Sequence, residues 1–263
     1  MLLTVTLISL IAYIIASLVL TQRFMAPEKM QRRTRALTAI ALVGHAGVLY
    51  LTISQGGLAQ LNMVTSLAII AWLLSLFASG PQQQRQHLLL RPAVYAFAAI
   101  TLLLLLVTPE TMGGRFILQP VLAIHVTLSL LAFSVLTLAS LYAIQILYLN
   151  YLLKHHSALA IADHMPPLMA LEQLFFRLLT AGTLILTAAL AVGLVFMESL
   201  FLPGQLHKTS LSLLAWLGYG GITIAHYVRG LRGQRAIYLT LAASALLILA
   251  YFGSRFVRDV LLH

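Results

Sequence analysis

Apolar residues in this chain come in long, nearly unbroken runs, and polar residues collect in the short links between them. Eight runs stand out, at about 2–20, 36–54, 62–79, 91–107, 119–150, 176–199, 209–228 and 236–254. The hydrocarbon core of a bilayer takes roughly 20 helical residues to cross. The pattern therefore predicts an all-α, polytopic membrane protein, a bundle of about eight transmembrane helices forming one integral membrane domain over residues 1–263. The fifth run is the longest and is expected to project past the bilayer through Tyr148, Asn150, Tyr151 and Lys154. In the link that follows, Pro166 and Pro167 end that stalk, and the next segment is expected to restart as an amphipathic helix on the membrane surface.

Lysine and arginine are unevenly shared between alternate links. Those after runs one, three, five and seven hold Arg23, Lys29, Arg32, Arg33, Arg35, Arg85, Arg91, Lys154, Arg177, Arg229, Arg232 and Arg235. The other side holds only Arg115, Lys208, Arg255 and Arg258. Cytoplasmic loops carry the excess of positive charge, so both termini are expected outside the cytoplasm.

Composition agrees with a lipid-embedded chain. Of its 263 residues 61% are hydrophobic and 8% are charged, against roughly a quarter charged in soluble domains. The net charge of +10 does not imply nucleic acid, because the cations sit in membrane links and form no patch on a soluble domain. Cysteine is absent, which excludes disulfides, thiolate catalysis and iron–sulfur ligation. Met1–Leu20 carries no cation ahead of its apolar stretch, unlike a cleaved secretory signal, and is read as a retained first helix.

Ionisable groups inside a membrane segment are costly and by default mark a functional site. Four histidines qualify. His45 lies midway along the second run, His226 near the inner end of the seventh, His125 one turn into the fifth from its outer side, and His207 immediately before the seventh. None of the six acidic residues lies deep in a run to pair with them. Neutral imidazole ligates haem iron, and two histidines from different helices can take both axial positions. The four can be grouped as an inner pair, His45 with His226, and an outer pair, His125 with His207. The bland reading is that each makes one hydrogen bond to a neighbouring helix. His87, His155, His156 and His164 fall in inner links and His263 is terminal. Trp72, Trp216, Tyr50, Tyr219 and Tyr227 could stack on a porphyrin or simply fill space between helices. No phosphate-binding glycine loop, Ser–His–Asp arrangement or paired carboxylates in an apolar cleft occurs, so no enzymatic role is expected.

The stretch Met165 to Arg177, followed by Gly182, Leu186-Thr187 and Gly193, resembles the cytochrome c assembly protein family (CcsA, ResC and HemX types). So does Lys208 to Tyr219 continuing to His226 and Arg229–Arg235, while Ala250–Arg255 and the surroundings of His45 look most like the YpjD-type inner-membrane members. The resemblance implies an eight-helix, haem-handling protein of the bacterial cytoplasmic (inner) membrane. By position, His125 matches the family's outer histidine and His226 its membrane histidine. His207 stands beside the segment that precedes that helix, and His45 matches only the YpjD-type pattern. These four are the expected ligands of a haem b iron, with no other metal expected. The family's tryptophan-rich outer platform has no counterpart in Leu200–His207. The function expected is haem binding in support of cytochrome c assembly or haem homeostasis, with lipid and other cytochrome c maturation proteins as partners. An accessory subunit that stabilises or regulates a neighbouring transporter or enzyme, its histidines only packing helices, is the alternative. A secondary transporter ranks last, for want of midplane charges or an inverted repeat.

Overall fold

In lipid every backbone N–H and C=O must find its partner within the protein, which leaves the helix as the economical solution for a long apolar run. The computed structural model describes residues 2–22, 31–56, 62–80, 90–108, 120–155, 167–196 and 206–253. They form eight α-helices: α1 (Leu2–Gln22), α2 (Gln31–Gly56), α3 (Met63–Ala78), α4 (Arg91–Val107), α5 (Pro120–Lys154), α6 (Leu168–Phe196), α7 (Leu206–Arg229) and α8 (Gln234–Ile248). A π-helical turn, Leu249–Gly253, extends α8. No strand occurs among the described residues. Six helices are long and apolar enough to cross a membrane; α3 and α4, at 16 and 17 residues, are apolar but shorter.

The chain divides into two compact units, Met1–Ile117 with Asp163–Met165, and Leu118–Ala162 with Pro166–His263. In the first unit α1 packs on α2 and α4, and α3 packs on the same two helices. The cross-contacts run antiparallel: Tyr13 meets His45 on α2 and Tyr95 on α4, and Ser17 Oγ donates to the Pro92 carbonyl at 2.9 Å. Trp72 Nε1 on α3 donates to the Leu42 carbonyl on α2 at 3.0 Å. The unit is thus an up-down-up-down four-helix bundle, its seams lined by buried Ala12, Ala16, Ala41, Ala68, Ala71 and Ala98. Small residues let backbones approach where lipid supplies no hydrophobic drive between helices. At the start of α3 the Asn62 side chain accepts the Thr65 N–H at 2.8 Å, satisfying one of the donors a helix start leaves open.

The second unit repeats the arrangement, with α5 on α6 and α8, and α7 on α6 and α8. Phe133 on α5 packs against Tyr251 and Phe252 in the π turn. Ser140 and Ser244 hydrogen-bond across α5 and α8, and the Tyr219 hydroxyl of α7 lies 2.9 Å from Ser244 Oγ. Trp216 Nε1 of α7 donates to Thr187 Oγ1 of α6 at 2.8 Å. Helix α5 is continuous through the expected stalk residues to Lys154, 35 residues in all, about 52 Å at 1.5 Å per residue.

Three expectations shift. Residues 168–175 do not form a separate surface helix; they are the first two turns of α6, which is continuous from Leu168. Pro167 stands just before the helix, where a missing N–H is tolerated. Leu171, Leu174 and Phe175 are already buried, so the apolar stripe keeps its register into the membrane span. His207 lies inside the first turn of α7 rather than ahead of it. The basic residue Arg35 lies within α2.

At Gly182 helices α5 and α6 are in close contact. A Cβ there would stand 2.7 Å from both Cγ and Cδ2 of Leu136 and 3.3 Å from Val135 Cγ1. Gly220 and Gly221 have nothing within 4 Å of the equivalent position. Gly182→Leu should cost about 1–3 kcal/mol through overpacking, read as a lower melting temperature in detergent, whereas Gly221→Ala should leave the melt unchanged.

Candidate functional site

Each of the four membrane histidines has a different setting. His45, on α2 in the first unit, is fully enclosed at 0% exposure. Its Nδ1 faces the Tyr13 hydroxyl at 3.4 Å, with the rings edge-on at 87°. Its Nε2 is buried and meets no hydrogen-bond partner among the described residues. An imidazole nitrogen sealed without a partner costs free energy, so this one is an unsatisfied polar atom in the core of the unit.

His125 and His226 belong to the second unit and are half-buried. The Nδ1 of His125 lies 2.9 Å from the Ala189 carbonyl of α6. The Nδ1 of His226 lies 2.8 Å from the Leu231 carbonyl in the link between α7 and α8. A carbonyl only accepts, so Nδ1 carries the hydrogen in both, and in the neutral ring Nε2 keeps its lone pair. This is how metal-ligating histidines are held, one nitrogen fixed by an outer acceptor and the other free. The His226 ring is further fixed by stacking on Phe176, with centroids 3.6 Å apart and planes within 9°. His207 is exposed, and its carbonyl accepts the Ser210 hydroxyl at 3.1 Å.

The proposed pairings are constrained by depth. His125 sits level with Ala189 on α6 and His226 level with Phe176. Thirteen residues of helix separate those levels, about 20 Å. Metal–imidazole bonds are about 2 Å, so these two cannot share one ion. Trp216 pairs with Thr187, which sets His207 level with Phe196, about 10 Å in depth from His125. The expected outer pair is therefore offset by about two turns. The expected inner pair is divided between the two units, His45 in one and His226 in the other. No cluster of three His, Cys, Asp or Glu occurs among the described residues. His125 and His226 each present an imidazole oriented by a backbone carbonyl on Nδ1, whereas the ring of His45 is fully enclosed.

Two supporting residues escaped the sequence reading. Tyr13 is the lone aromatic in α1, and a phenol amid aliphatic residues was the available signal for a polar contact to another helix. Phe176 carried none, being one of many apolar residues in α6. Of the aromatics singled out beforehand, Trp72, Trp216, Tyr219 and Tyr227 hydrogen-bond between helices, and Tyr50 is exposed. His155 lies exposed beside Tyr151; His87, His156, His164 and His263 lie outside the described residues.

Residues 60–262 match the family described as cytochrome C assembly protein. The chain belongs to that family. The match starts beyond α2, so His125, His207 and His226 fall within it and His45 does not. Similarity to inner membrane protein YpjD of Escherichia coli strain K12 spans 97% of this chain and 98% of that one, at 34% identity over 262 residues. The YpjD of the O157:H7 strain matches to the same extent. A 28.8 kDa protein of Azospirillum brasilense is 34% identical over 141 residues, 53% of this chain and 52% of that one. No solved structure matches. With six helices of membrane-crossing length and relatives of that kind, the protein is a multi-pass protein of the inner membrane.

The link that holds His226 in place depends on two glycines. Gly230 and Gly233 take φ of +67° and +72°, and the chain doubles back so that the Leu231 N–H reaches the Ala225 carbonyl at 3.1 Å. Gly233, at ψ −155°, lies in a region that is almost glycine-only. Gly230→Ala should cost about 1 kcal/mol and Gly233→Ala about 1–3 kcal/mol. Thermal melts of the two variants in detergent should rank in that order.

Proposed function

We propose that this protein binds haem b within the membrane and supports cytochrome c assembly or haem homeostasis, acting by binding rather than by covalent catalysis. The observation that carries the reading is the setting of His125 and His226: each ring is oriented by a backbone carbonyl on Nδ1, with Nε2 left for a ligand. His45, with its sealed and unpartnered Nε2, is the third candidate, and His207 the least supported. Iron supplies the redox and ligand-exchange chemistry when haem is present. The chain's own part is to fix the imidazoles and keep bulk water from them. Family membership supports a role beside other cytochrome c maturation proteins.

The reading includes eight membrane crossings, with α3 and α4 completing the set, and both termini outside the cytoplasm. Lys154, Arg177, Arg229, Arg232 and Arg235 gather at one end of the second unit's antiparallel helices, and Lys208 lies at the other. Arg35 and Arg91 begin α2 and α4, at a common end of the first unit. That polarity supports an inner face at the basic ends.

A non-haem accessory subunit is the second reading, favoured by the stacking of His226 on Phe176, which a packing histidine would share. Under it, replacing His45, His125, His207 and His226 together leaves the cellular phenotype intact.

Protein purified intact from haem-replete cells should show a Soret band. His226→Ala or His125→Ala should lower haem affinity about 10-fold or more; a haem-free preparation with no such absorbance would remove the proposal. Because cysteine is absent, single cysteines report topology cleanly. One at Arg35 or Arg232 should resist a membrane-impermeant maleimide in spheroplasts, and one at Lys208 should react.

A further inference from the structure

A cavity of about 210 Å³ opens where the start of α6 meets the end of α7 and the following link, lined by Met169, Glu172, Gln173, Arg177, Tyr227 and Arg232, with Phe176 and His226 at its back. Arg177 and Arg232 are exposed and make no hydrogen bond or ion pair among the described residues. The carboxylate in the cavity is partly engaged: Glu172 Oε1 accepts the Gly233 N–H at 3.1 Å. Tyr227 is also held. The Thr180 hydroxyl donates to the Phe176 carbonyl at 2.8 Å, so the Tyr227 hydroxyl donates to Thr180 Oγ1, at 3.3 Å. Around the mouth, Met169 and Tyr227 are 71% and 66% exposed, an apolar rim at the level where membrane helices end.

We propose that this cavity is a binding site for the headgroup of an anionic phospholipid of the phosphatidylglycerol class. Two guanidiniums converge there with one carboxylate, a net charge of +1 that a phosphodiester of net charge −1 complements. The arginine forks suit phosphate oxygens, and the second Glu172 oxygen and the Gln173 amide can accept the headgroup's hydroxyls. Basic pockets between membrane helices hold anionic headgroups by this chemistry. Size selects the occupant as well. The space is below the roughly 300–1,000 Å³ that drug-sized ligands need, which suits a headgroup. The proposal rests on the two arginines and not on haem at His226.

The test is native mass spectrometry of the full chain in detergent, titrated with phosphatidylglycerol, phosphatidylethanolamine or inorganic phosphate. Phosphatidylglycerol should bind preferentially, and Arg177→Gln with Arg232→Gln should weaken it roughly 25-fold, at about fivefold per cation near a membrane surface. Arg229→Gln removes one charge, from the end of α7 outside the cavity, and should change affinity less than threefold. Equal retention of phosphatidylethanolamine, or an equal loss in the Arg229 variant, overturns the proposal. Inorganic phosphate displacing the lipid at low millimolar concentration overturns it too, since the site would then be one for free anions. If the doubly neutralised chain does not survive purification, Arg177→Lys with Arg232→Lys keeps the charge and removes the forks. Affinity should then fall at least threefold, and an unchanged value sinks the idea.

Discussion

Lipid offers no hydrogen bonds, and that single deficit organises this molecule. A hydroxyl on a membrane helix must return to its own backbone or cross to a neighbour. Thr6, Ser9, Thr38, Ser134, Thr183 and Thr240 each donate to the carbonyl four residues back. The larger polar groups cannot do this and become inter-helix ties: the Trp72 indole reaches α2, and the Trp216 indole reaches α6. His125 and His226 meet the same requirement through a backbone carbonyl on Nδ1, whereas the buried Nε2 of His45 has no partner among the described residues.

Those ties give two four-helix bundles of one topology, each with neighbours alternating in direction. Their seams rest on small side chains because apolar burial drives little association in a solvent as apolar as leucine. Alanine lines the first unit, and Gly182 against Leu136 brings α5 and α6 together in the second. A repeat of architecture without a visible repeat of sequence follows naturally. Many combinations of small and aliphatic residues satisfy the same packing, so the two halves need not share letters to share a fold.

The same residue type does different work according to what surrounds it. His226 is locked between a ring stack and a carbonyl at a helix end, His125 bridges α5 and α6 at the opposite end of the same bundle, and His45 is enclosed beside a tyrosine. Positional reasoning grouped them as an inner and an outer pair, the outer pair matching better in depth. Depth along α6 separates the second-unit histidines by turns of helix.

The eight elements were legible in the chain because each apolar run is long enough to force a helix, and local periodicity carries that information. The membrane histidines were legible too, since an imidazole among aliphatic residues stands out, and the family resemblance rested on short motifs that survive in order. Helix ends were less so: nothing local distinguishes residues 168–175 as surface helix from the same residues as the opening of α6. Only packing of Leu171 and Leu174 decides it. Which helices neighbour one another, that Tyr13 meets His45, and that Arg177 and Arg232 line one cavity with Glu172 are long-range facts. They arise from side chains far apart in the chain meeting at a seam, and no window of sequence contains both partners.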